Sequence, residues 1–140
     1  MLQPVMKTHE QVVGAARRKA AVKPSAPNLY LRLEGLVLFA GAVLLFAAQH
    51  GNGWMFALLL LAPDLSALGY LVNTRVGAAT YNLAHNYLLP GILLLIGVSA
   101  ANPLVIQLAA IWFAHIGMDR AAGYGLKYAA AFKDTHLQRV

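Results

Sequence analysis

The chain contains no cysteine, so disulfides and thiolate metal sites are excluded. Charge is scarce as well: 11% of the residues are Asp, Glu, Lys or Arg, against about 25% in a soluble domain. A chain of 140 residues forms one domain at most, and in water this one would have too few charged side chains to cover its surface. Also missing is a polar face on any long apolar stretch, which excludes the amphipathic helices of a soluble bundle. No long-period repeat or low-complexity tract is present. What fills the sequence is hydrophobic side chains, 59% of the total. They fall in residues 30–49, 54–72, 76–98 and 103–119, stretches of about 16–23 residues where a membrane span takes roughly 17–25. Short links make consecutive helices antiparallel neighbours. The expected fold is therefore all-α: a polytopic membrane protein with four transmembrane helices in an up-down bundle.

Negative charge is nearly absent, and positive charge is one-sided. Asp and Glu total 5 against 11 Lys and Arg, a net charge of +6. The links around Gly51-Asn52-Gly53 and from Ser99 to Asn102 carry no Lys or Arg, and the cations gather at the opposite ends of the stretches. The positive-inside bias then puts both termini, and the link after the second stretch, on the cytoplasmic side of the cell inner (plasma) membrane. Residues 1–29, with Arg17, Arg18, Lys19, Lys23, Pro24 and Pro27, read as a flexible basic cytoplasmic tail without the apolar core of a cleavable signal. Residues 30–120 read as the four-helix transmembrane domain, and 121–140 as a cytoplasmic C-terminal tail or lid. The expected partners are the lipid bilayer and, at the basic tail, anionic lipid headgroups, to which each cation adds about 1 kcal/mol of attraction. Nucleic acid is not expected, because topology accounts for the charge and no aromatic-interleaved basic groove accompanies it. A homo-oligomer is left open.

Depth within the spans turns scattered ionisable residues into one candidate site. Asp64 lies eight residues before the end of the second stretch and His85 eight after the start of the third, so both sit about 12 Å from the cytoplasmic face. His115 and Asp119 occupy the last turns of the fourth stretch, and Glu34 lies about one turn inside the first. An intramembrane carboxylate costs roughly 2.5–3.5 kcal/mol, which makes Asp64 the most expensive residue here unless other groups meet it. Pro63 removes a backbone N–H beside it and kinks the helix. His115 and Asp119, four apart, share one helix face with Trp112 above, and Asn82 shares a face with His85 beside Tyr81. The spacing predicts convergence of Asp64, His85, His115 and Asp119, with Glu34 and Asn82 close by. The competing reading is a plain salt bridge at a helix end, with Arg120 available to Asp119.

Two imidazoles with carboxylates are ligand types of Zn²⁺ or non-haem Fe/Mn, and an open position would activate water. On this reading Asp64, His85, His115 and Asp119 carry the chemistry and, with Glu34, bind a divalent metal. Alternatives are a proton-coupled carrier that relays protons through Asp64 and the histidines, and a structural membrane subunit without catalysis. Haem ligation by His85 and His115 suits the site less, because acids crowd the same layer. After Asp119 the segment Gly123-Tyr124-Gly125-Leu126-Lys127-Tyr128 interrupts the helix, and its aromatics suit the headgroup level. It is expected as either a cationic anchor or a lid bringing Lys127, Asp134 and His136 over the site.

The runs Leu61-Ala62-Pro63-Asp64-Leu65-Ser66 with Gly69-Tyr70, Tyr81-Asn82-Leu83-Ala84-His85, and Ala114-His115-Ile116-Gly117-Met118-Asp119-Arg120 with Gly123 to Tyr128 and Thr135-His136-Leu137 carry a resemblance. Over residues 30–139 the chain resembles an uncharacterised family of small bacterial integral membrane proteins, a domain of unknown function. More distantly it is similar to membrane-bound metal-dependent hydrolases, which place Pro-Asp in one apolar helix and His on later ones. It departs from them in having Leu65-Ser66 where they carry a second acid, and in lacking a His-Arg…Thr-His-Ser run.

Overall fold

The computed structural model describes residues 25–129 and 135–138. Helix α1 spans Ala26–Ala48, starting on Ser25, whose Oγ accepts from the Asn28 N–H, and on Pro27 in its first turn. It begins four residues before residue 30, because a hydroxyl cap with Pro next to it is a ready-made helix start. Residues 1–24, which hold most of the expected basic tail, lie outside the described residues, as does Asp134. Asn52 caps α2, Gly53–Leu59. The chain then tightens into a 3₁₀ helix, Ala62–Leu71.

The second apolar stretch is thus two elements. Pro63 has no N–H for the Leu59 carbonyl, and beyond it hydrogen bonding resumes at three-residue spacing, Asp64 N–H to Leu61 O at 3.1 Å. The third stretch is broken too, into α3, Thr74–Ala84, and α4, Leu88–Ser99. Nothing in its hydropathy announces that break. Its cause is Pro90, which denies Asn86 O a partner and forces a fresh start with Pro in the first turn, where no N–H is needed. Helix α5, Pro103–Ala122, runs unbroken from its Asn102 cap to Gly123 at φ 93°, a left-handed stop that favours glycine. Arg32 donates to Ala121 O and Ala122 O, so α1 caps the end of α5.

Helix α5 is the centre of the bundle. Ala109, Ala110, Ala114, His115 and Ile116 on it are fully buried. Against α1 the two backbones touch: a Cβ on Gly117 would stand 2.8 Å from Gly35 O and 2.7 Å from Phe39 N. On its other side α4 packs at Gly97, where a Cβ would stand 2.9 Å from Ile106. Gly41, by contrast, faces open space. The 3₁₀ helix packs on α3, where the Thr80 hydroxyl donates to Ser66 O at 2.8 Å. Phe46, Ala110 and Ile111 form a small core covered by Met55, Phe56 and Leu59.

The outside is apolar, with Leu58 75% and Leu71 84% exposed. Three helical stretches, Ala26–Ala48, Gly53–Leu71 and Thr74–Ser99, are long and apolar enough to cross a membrane. Helix α5 has the length, 20 residues, but is interrupted by His115, Asp119 and Arg120. A helix ringed by other helices meets protein rather than lipid and can carry such groups.

A candidate metal centre

The site is assembled around the end of α3. His85 closes that helix with its N–H bonded to Tyr81 O, and its ring Nδ1 lies 2.8 Å from the same oxygen. A carbonyl only accepts, so Nδ1 carries the hydrogen and the neutral ring presents the lone pair of Nε2 on its far side. Stacking on Tyr81, with centroids 3.6 Å apart and planes 9° from parallel, fixes the ring. His85 is 2% exposed.

Three side chains surround that lone pair. His115 Nε2 stands 3.0 Å away, Asp64 Oδ1 3.4 Å and Asp119 Oδ2 3.7 Å. From His115 Nε2 the two carboxylate oxygens lie at 3.6 and 3.8 Å. One ligand atom from each residue fits within 4.8 Å of all the others. His115 is fully buried, and its Nδ1 has no hydrogen-bond partner among the described residues. Asp64 rides on the first turn of the 3₁₀ helix with its side chain 49% exposed, which leaves the cluster open on its side. Asp119, one turn beyond His115, accepts from the Tyr81 hydroxyl at 3.0 Å. With His85 neutral its Nε2 only accepts, so the imidazole contact is then either an N–H···N hydrogen bond from His115 or two lone pairs directed at a common cation.

Opening the helix between residues 85 and 87 strands the last carbonyls of α3, and side chains take each of them. Asn86 Nδ2 donates to Asn82 O and Leu83 O, Trp112 Nε1 to Ala84 O at 2.6 Å and Arg120 Nη2 to His85 O at 3.3 Å. Asn86 Oδ1 also accepts from the Leu88 N–H, joining the end of α3 to the start of α4. Irregular backbone at membrane depth survives only when satisfied in this way. Arg120 therefore serves the His85 and Tyr124 carbonyls rather than forming the salt bridge with Asp119 that the competing reading offered. Asn86 was not singled out from the sequence. A polar capping residue in an apolar run, four before a proline, is the signal that marks it.

The segment after α5 folds back on the bundle. Asn82 and the backbone of Lys127 exchange two hydrogen bonds, 2.8 and 2.7 Å. Leu126 N–H donates to His136 Nδ1 and Leu126 O accepts from the His136 N–H, and Lys127 bridges to Thr135. Lys127 is buried, with Nζ 4.8 Å over the Tyr81 ring. Burial pulls its pKa below the usual lysine value, while Asp119 and Asp64 pull it up. His136 sits elsewhere. Burial and the Arg120 guanidinium hold its pKa below the ordinary 6.5, and with Arg120 and Glu34 it lines a separate pocket of about 240 Å³. Glu34 is exposed there and outside the four-residue cluster, a correction to its expected place among the ligands: one turn inside α1 it faces the Arg120 side of α5, not the His115 side.

Residues 28–140 match the family model described as Domain of unknown function (DUF4260), and the chain belongs to that family. No curated protein and no solved structure matches it. The weaker similarity to membrane-bound metal-dependent hydrolases stands on the quoted motifs alone.

Proposed function

We propose that this DUF4260 protein is an integral membrane metalloprotein in which Asp64, His85, His115 and Asp119 hold one divalent cation, Zn²⁺ or Fe/Mn, for hydrolytic chemistry. The observation that carries the reading is the spacing of the donors. Ligands 2.0–2.2 Å from a tetrahedral metal stand about 3.3–3.6 Å apart, and five donor separations here run from 3.0 to 3.8 Å. The tautomer of His85 supports it, since a metal-binding imidazole donates its other N–H to a carbonyl or carboxylate, as Nδ1 does to Tyr81 O. When bound, such an ion makes water a nucleophile near neutral pH. Asp64, half exposed, is the side from which water and substrate would reach it. Tyr81 holds Asp119 in place, and Lys127 keeps a cationic group near both carboxylates.

The same reading makes α5 a fourth span, enclosed by the three apolar ones, with both termini on the cytoplasmic side of the inner membrane and the bilayer as partner. Elemental analysis of protein purified in mild detergent tests the metal. About one ion per chain is expected, lost on His85→Ala, His115→Ala or Asp64→Ala while the fold persists. A folded protein that takes up no Zn²⁺, Fe²⁺ or Mn²⁺ on reconstitution would overturn the proposal, leaving a hydrogen-bonded cluster suited to proton relay.

A further inference from the structure

The pocket of about 240 Å³ bordered by Glu34, Arg120 and His136 is apart from the cluster, and none of the four clustered residues lines it. Arg120 is 7% exposed, yet its guanidinium is in no ion pair among the described residues. A buried charge ordinarily has a partner of opposite sign. Two of its five N–H groups go to the Tyr124 and His85 carbonyls, at 3.3 Å each, which leaves three for a ligand. Glu34 borders the same pocket, exposed and likewise in no ion pair among the described residues. His136 spends Nδ1 on the Leu126 N–H, so its neutral ring keeps an N–H donor at Nε2. Leu31, Leu126 and the Tyr87 ring add apolar wall.

We infer that this pocket takes an aminoalkyl phosphate, with the phosphate on Arg120 and His136 and the ammonium on Glu34. A cation and an anion that border one cavity without pairing leave room between them for a ligand carrying both charges in the opposite order. A plain anion would be repelled by Glu34, and a plain cation by Arg120. A phosphate offers three acceptor oxygens to the donors left on Arg120 and His136, and a guanidinium matches it in bidentate fashion. Size selects a small occupant: drug-sized ligands take pockets of about 300–1,000 Å³, and this one is smaller. The pocket lies where α5 ends, against the segment that follows it, and with α5 crossing the membrane that end is at headgroup level. The ligand is therefore the headgroup of an aminophospholipid or a free aminoalkyl phosphate, and its binding needs no metal in the cluster.

Calorimetric titration of the full chain in a non-ionic detergent tests this, with a chelator present so that phosphate reports no metal in the cluster. The probes are phosphoethanolamine and dihexanoyl phosphatidylethanolamine, and saturable binding of one molecule per chain is expected. Similar affinity for both marks a free ligand, and binding of the lipid alone marks a headgroup. Glu34→Gln should weaken the tighter probe about ten-fold, the share of one charged hydrogen bond, without weakening ethyl phosphate, which lacks the ammonium. Leu31→Trp fills the pocket without touching a charge and should abolish saturation. Arg120 stays unchanged in these variants because it also holds His85 O. No saturable binding of either probe, or an affinity unaltered in either variant, would overturn the site. A protein that takes up metal but neither probe keeps the hydrolase reading and loses this one, and saturable binding in protein that takes up no metal does the reverse.

Discussion

At the scale of single residues, the site depends on hydrogen bonds that fix which atoms face inward. His85 has no freedom: one ring nitrogen is held by Tyr81 O and one ring face by Tyr81 itself. The Tyr81 hydroxyl in turn orients Asp119. Removing it with Tyr81→Phe keeps the stacking and all four ligands, so the fold should survive while metal affinity falls about 10–100-fold, the usual cost of losing a group that orients a ligand. Competition with a chromophoric chelator measures this, and unchanged affinity would show that Asp119 needs no such support. The sequence made the four converging residues legible because an ionisable group facing lipid is costly enough to constrain where it points. That logic gives depth, not azimuth. Glu34 matched in depth and failed in azimuth, and no polar residue near it in sequence reveals which face of α5 it meets.

At the scale of elements, the two broken stretches break beside the cluster, before Asp64 and after His85. Pro63 announced the first break, but a proline kink does not reveal that a whole 3₁₀ helix follows. The second break was hidden in an apolar run, since hydropathy is blind to backbone hydrogen bonds. Asn86 holds it with three bonds, to Asn82 O, Leu83 O and the Leu88 N–H. Asn86→Ala should therefore cost about 1–2 kcal/mol of stability, read as a lower melting temperature in detergent, and weaken metal binding as His85 loosens. The C-terminal segment is held by a titratable contact. His136 accepts from the Leu126 N–H, so it docks neutral, and its folded pKa lies below its ordinary 6.5. A depressed histidine pKa means the undocked segment binds more protons, so docking is strongest above that ordinary value and weakens as pH falls through it. Thr135, 2% exposed, can report this in a chain with no native cysteine. The thiol of Thr135→Cys, its reactivity normalised to denatured protein, should become more accessible from pH 7.5 to 5.5. A flat profile would show that His136 does not govern the segment.

For the whole molecule, one asymmetry recurs among the described residues: three cations gather around the end of the bundle that holds the paired histidines. Arg32 caps α5 from α1, Arg120 holds the His85 carbonyl and Lys127 closes over Tyr81. These three cations therefore help build the scaffold of the site. Helix α5, which carries two of the four clustered residues, is interrupted by His115, Asp119 and Arg120, and α1 and α4 pack closely against it at Gly35, Gly117 and Gly97. Whether it is a fourth span decides where the C-terminus lies. If α5 crosses, a fluorescent reporter fused to the C-terminus should light up in the cytoplasm, and alkaline phosphatase fused at the same point should stay inactive. The reverse pattern would leave only three crossings or invert the bundle. Inversion would move the open side of the cluster, at Asp64, to the opposite face of the membrane, and with it the compartment that supplies water and metal to the centre, whereas three crossings would leave Asp64 where it is and change only the side of α5 and the C-terminus.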